Sequence, residues 1–254
     1  MEQIQVSPGQ SGRYKAGLVM VDIPENPQRR KAPMIALTGH RVGFYGGSFD
    51  PVHRGHLAIA KTLFEQFEID EFVFIPAFHA PHKFRLKPTS AYDRYAMLCL
   101  ATQGESKMAV SRMEIEAPER PFSVETLTRL NIERPDDEKF FVMGADSWMD
   151  ITTWREWETV LTLSNHIVIT RPGFEIGFEH VTEDIRKRIA DLRTSVMPKD
   201  PRPKTQNQIF ITDSVNLDIS ATRIRQMIRE NDPAWRSDVS REVANYVEKY
   251  QIYR

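Results

Sequence analysis

The chain has one cysteine, Cys99, among 254 residues, so it cannot close a disulfide within itself, and the thiol reads as a small apolar side chain in a helical run. No apolar stretch approaches the length of a membrane span. The first residues also lack the basic start and hydrophobic block of a secretory leader. Neither charge is in excess: 34 Lys and Arg against 35 Asp and Glu leave a formal net charge of −1. Nucleic acid and membrane are therefore not expected as partners, and any positive patch must be local. Internal repeats and long low-complexity tracts are missing as well. These absences leave a globular enzyme of the cytoplasm as the expectation.

Residues 1–40 mix Pro, Gly, Gln and charge with little periodicity, which predicts a poorly ordered N-terminal extension or a start assigned ahead of Met34. Residues 41–254 are expected to form a single domain.

The informative stretch is Gly43 to His56, GFYGGSFDPVHRGH. Apolar residues lead into Gly46-Gly47, and after a proline turn the chain enters a helix marked by Leu57, Ala60, Leu63, Phe64 and Phe67. Glycines let a backbone approach phosphate, and the N–H groups at a helix start offer positive partial charge. His53 and His56, three apart, share one face of that first turn. EFVFIP, Glu71 to Pro76, reads as a buried strand, and strand, helix, strand in this order predicts a parallel sheet with ligands at the C-terminal strand ends.

GGSFDPVHRGH resembles the GxFDPxHxGH signature of the nucleotidylyltransferase superfamily, whose loop holds a nucleotide triphosphate. The likeness extends along the chain to bacterial nicotinate-mononucleotide adenylyltransferases. AFHAPHKFRLKPTS carries His82-Lys83, similar to a PPHK element that approaches the phosphates there. APERPFSVETLTRL, with Ser123 as a predicted N-cap, resembles an APSYTxxTL element, Phe122-Ser123 standing for Tyr-Thr and losing the phenol. FFVMGADSW, Phe140 to Trp148, reads as a buried strand ending in Gly144-Ala145-Asp146, similar to the family's GxD, and Asp146 as a ribose acceptor competes with a helix-cap role. Trp154 matches a ring-stacking Trp, while Trp157, three further on, is left to the core. Arg171 of the RPG turn and the ISATRIR run with Ser220, Thr222 and Arg225 match elements beside the nucleotide, although Ala221 replaces a hydroxyl.

The resemblance implies a Rossmann-like, doubly wound parallel α/β sheet and transfer of adenylyl from ATP to nicotinate mononucleotide, with Mg²⁺ bound through ATP. It implies ATP contacts from Gly46, Gly47, Ser48, Phe49, His53, His56, Arg171, Ser220, Thr222 and Arg225. Mononucleotide contacts would come from His82, Phe122, Ser123, Asp146 and Trp154, and catalysis from His53, His56, Lys83 and Arg225. No protein-held metal is expected: His53/His56 and His79/His82 could offer four nitrogens to zinc, yet neither pair has cysteine spacing or an HExxH context. Nicotinamide mononucleotide, phosphopantetheine or a flavin nucleotide as acceptor, and a non-catalytic nucleotide-binding regulator, stand as alternatives.

Other periodicities predict helices over Tyr92 to Ala101 and through Val181, Ile185, Ile189 and Leu192, and strands over Lys107 to Glu116 and His166 to Gly173. Thr153 with Glu156 has capping-box spacing, and a last helix carries Val239 to Tyr250.

Overall fold

A computed structural model describes residues 39–78, 89–170, 175–193, 206–215 and 219–254, all within the compact unit Thr38–Arg254. The chain alternates strands β1 (Arg41–Gly47), β2 (Glu71–Pro76), β3 (Met108–Val110), β4 (Glu138–Gly144), β5 (Asn165–Ile169), β6 (Ile189–Asp191) and β7 (Ile209–Thr212) with helices. The helices are α1 (Arg54–Gln66), α2 (Ala91–Thr102), α3 (Ser123–Glu133), α4 (Ala145–Met149), α5 (Trp157–Leu163), α6 (Glu183–Arg186), α7 (Ala221–Arg229) and α8 (Arg241–Lys249).

All strand pairs are parallel, in the order β3-β2-β1-β4-β5-β7-β6. The chain winds outward from β1 to β3, then returns to place β4 on the other side of β1. The two halves therefore diverge between β1 and β4, and the crevice at their C-terminal ends is where such sheets hold ligands. Strand residues alternate between two cores, as a pleated sheet covered on both faces requires. Tyr45, Phe74, Phe140 and Phe210 meet α1, α2, α7 and α8, while Val42, Phe44, Phe141 and Val168 meet α3, α4, α5 and α6. The doubly wound α/β expectation is borne out.

Several boundaries differ from the sequence reading. The strand predicted over Lys107 to Glu116 stops at Val110, because β3 is an edge strand and the chain beyond it turns to bury Glu114, whose Oε1 accepts from the Thr126 hydroxyl at 2.8 Å. The cap of α3 is Phe122, not Ser123: Glu125 accepts from the Phe122 N–H at 3.0 Å, and Ser123 becomes the first helical residue. β4 starts two residues earlier than Phe140 and ends at Gly144. Thr153 and Glu156 form no capping box, since the Thr153 hydroxyl donates to the Asp150 carbonyl and Glu156 takes a left-handed φ of 50°. The helix predicted through Leu192 shrinks to α6, and Ile189 to Asp191 instead pair with β7, so edge pairing prevails over helical spacing. β5 is Asn165–Ile169, and Arg171 lies outside the described residues, as do Gly173, His79, His82, Lys83 and Asp218. The last helix is preceded by a 3-10 turn, Pro233–Asp238. Among the described residues no helix is long and apolar enough to cross a membrane.

Candidate active site

The glycine loop leaves β1 at its C-terminal end. Its glycines are explained by aromatic packing: a Cβ on Gly47 would stand 2.9 Å from the Phe49 ring, and one on Gly46 would stand 3.2 Å from Phe141. Phe49 reaches that position through a left-handed φ of 47°. Its ring, 2% exposed, is turned into the core and packs edge-on against Tyr45, Phe74 and His56.

His53 is the N-cap of α1 and His56 its third residue. The His53 N–H donates to His56 Nδ1 at 3.2 Å, so the neutral ring carries its proton on Nε2, and the two imidazoles stack with centroids 3.7 Å apart. Desolvation first, then the neighbouring His53, hold the His56 pKa well below the ordinary imidazole range. His56 is therefore a neutral hydrogen-bond donor at physiological pH rather than a cation.

The second helix start comes from α7. Ser220 is its N-cap and accepts from the Arg223 N–H at 3.2 Å, which leaves its own O–H available to donate to an anion. Thr222 lies in the first turn and accepts from Arg225 Nη2 at 3.3 Å. Arg225, 8% exposed, sends Nη1 to the Asp50 carbonyl at 2.6 Å. A Cβ on Gly55 would stand 3.8 Å from Ile219 Cβ. The starts of α1 and α7, far apart in sequence, are thus side by side, each directing the positive end of a helix dipole outward.

Arg94 was not singled out by its sequence. It is almost wholly buried on the apolar face of α2 and donates to four carbonyls: Ser48 at 2.7 Å, Ala77 at 2.6 Å, Phe78 at 3.2 Å and Thr89 at 3.2 Å. It ties the glycine loop to the chain on either side of residues 79–88. Burial lowers its pKa, and Asp50 partly offsets this. The available signal was a charged residue at helical spacing with Met97 and Leu98.

Phe122 and Ser123 stand at the start of α3, and Asp146 is exposed at the start of α4, capped by Gly144 rather than itself a cap. Trp154 and Trp157 are both half-buried against the same core. Arg155 joins the groups, its guanidinium lying 4.9 Å from the centroid of the exposed Phe122 ring. A cavity of about 1060 Å³ opens at the opposite end of the sheet, where β1, β4 and β5 begin, lined by Arg41, Arg188, Glu138 and Glu158 among others. Topology outweighs volume here, because its mixed charge and position at the N-terminal strand ends suit it poorly to a triphosphate.

A Cytidylyltransferase-like family profile matches residues 44–227. A probable nicotinate-nucleotide adenylyltransferase of Desulfatibacillum aliphaticivorans is 38% identical over 200 residues, 75% of this chain and 89% of the relative. The chain belongs to the nicotinate-nucleotide adenylyltransferase family. A family member of the same description from Geobacter sp. strain M21 is 35% identical, covering 84% of this chain and 98% of its own. Among solved structures, Plasmodium falciparum nicotinic acid mononucleotide adenylyltransferase complexed with NaAD aligns with TM-score 0.62 and 20% identity over 84% of this chain and 97% of that one, a likeness of fold.

Proposed function

We infer that the protein joins the adenylyl group of ATP to nicotinate mononucleotide, giving nicotinate adenine dinucleotide and pyrophosphate. Family membership supports the reaction. The observation that carries the mechanism is the juxtaposition of the α1 and α7 starts across the Arg225 to Asp50 bond. Two helix dipoles, the His56 Nε2–H and the Ser220 and Thr222 hydroxyls then face one polyanion.

The acceptor's phosphate is a dianion above about pH 6 and needs no general base. One of its oxygens attacks the α-phosphorus of ATP, the bond to the bridging α,β-oxygen breaks, and its electrons leave with pyrophosphate. The protein's part is to align the reactants and to hydrogen-bond the charge that grows on the leaving group. His53, His56 and the α7 hydroxyls are assigned to the triphosphate, with Lys83 and Arg171 assigned there from the sequence. Arg225 acts chiefly by holding α7 against the glycine loop. Phe122, Ser123, Asp146, Trp154 and His82 are assigned to the mononucleotide.

Among the described residues no group of three or more His, Cys, Asp or Glu is arranged to hold a metal. Mg²⁺ is expected to arrive bound to ATP and would supply neutralisation of phosphate charge. A pyrophosphate-release assay with nicotinate mononucleotide, nicotinamide mononucleotide, phosphopantetheine and flavin mononucleotide tests the reading. Turnover should be fastest with the nicotinate acceptor; preference for another acceptor, or none at all, would reject it.

A further inference from the structure

Asp50 is a meeting point the reaction does not use directly. Its carbonyl accepts from Arg225, and its Oδ1 accepts from the Tyr253 phenol at 2.7 Å. Tyr253 arrives there with a left-handed φ of 73°, and Gln251, two residues earlier, has a φ of 53°. Non-glycine residues hold such angles only where surrounding contacts impose them. Ile252 between them packs on the core and donates its N–H to the Val247 carbonyl. One hydroxyl thus anchors the turn that launches His53 and His56, while Arg94 holds the carbonyls of Ser48 and Thr89.

We propose that Tyr253 is a positioning residue for adenylyl transfer, its phenol holding the Asp50 turn in the register that aims the α1 histidines at the leaving phosphates. The proposal rests on the transferase reading above. It predicts that removing one oxygen far along the chain changes turnover more than substrate binding, since misplaced donors are felt most where charge develops.

Steady-state kinetics on the full chain test it, with wild-type turnover measured first. Tyr253→Phe should lower kcat by about 10-fold or more with both KM values within about threefold of wild type. Tyr250→Phe, on an exposed ring that packs on Tyr246, should match wild type. Asp50→Ala should lose a similar factor, and Asp50→Ala combined with Tyr253→Phe should lose little more than either alone. Asp50→Asn keeps a carbonyl acceptor for the phenol and should stay closer to wild type than Asp50→Ala; this pair decides the matter if Tyr253→Phe does not fold. Wild-type kcat in Tyr253→Phe, a lowered melting temperature with unchanged kcat, or multiplicative losses in the double variant would overturn the positioning role while leaving the transferase reading intact. Absence of wild-type turnover would overturn both.

Discussion

At the scale of single residues, His56 shows how neighbours set chemistry. Its Nδ1 is occupied by a backbone N–H and its ring lies among Tyr45, Phe49 and His53, so the side chain is left with one outward donor and little tendency to take a second proton. His56→Ala should lower kcat by about 100-fold or more while changing the KM for ATP far less, as expected when a donor contacts charge that develops in the transition state. Comparable losses in KM with kcat intact would remove it from that role. Because the depressed pKa keeps the ring neutral in the free protein, kcat/KM should be free of a His56 titration between about pH 6.5 and 8, read from a pH-rate profile. Gly47→Ala tests the aromatic account of the loop. The added methyl meets the Phe49 ring, and the melting transition should report a loss of about 1–3 kcal/mol.

The residue types at this scale were legible where spacing carried them. The two histidines and the Ser220 cap stand where the sequence placed them. The inward packing of the Phe49 ring and the burial of Arg94 were not legible. Whether a ring folds inward or a guanidinium meets four carbonyls depends on the left-handed turn and on segments many residues away.

Among elements, the helix starts are where stability and binding can be separated. Ser220→Ala should cost about 1 kcal/mol of stability through the lost cap and also raise the KM for ATP. Ser220→Asp should retain the cap, since a carboxylate accepts the same N–H, yet raise the KM for ATP more steeply, because its charge repels the triphosphate. Melting curves and initial rates on both variants check this; an ATP KM unchanged in Ser220→Asp would detach α7 from the nucleotide. Elements with strong apolar periodicity or buried runs, such as α1 and β2, were readable to within a few residues. The edge strands β3 and β6 were not. Each has only three residues and one pairing partner, so their extent is decided by the neighbouring strand and not by their own pattern.

For the whole molecule, the response to acid follows from buried imidazoles. His166, wholly buried beside Phe141, has its pKa lowered to about 3 by desolvation, against a backbone bond from its ring to the Ser164 carbonyl that works the other way. With His56 displaced in the same direction, the unfolded chain binds more protons than the folded one below the ordinary imidazole pKa of 6.5. Stability contributed by keeping these rings neutral is complete above about pH 6.5 and declines as the pH falls toward the folded-state values. Melting temperature measured from pH 7.5 down to 5 should fall, and His166→Phe should flatten part of that slope; an unchanged slope would exclude His166 as a contributor.

The switch in winding direction after β3 has a consequence for how the molecule comes into being. The loop after β1 is made early, but its partner helix α7 follows the far half of the sheet, beyond β4, β5 and β7. A nascent or prematurely halted polypeptide would carry the histidines with nothing opposite them. On the proposed assignment of both helix starts to the triphosphate, a chain cut short before Ser220 lacks one of them and should not retain ATP, which a binding assay on that truncation checks.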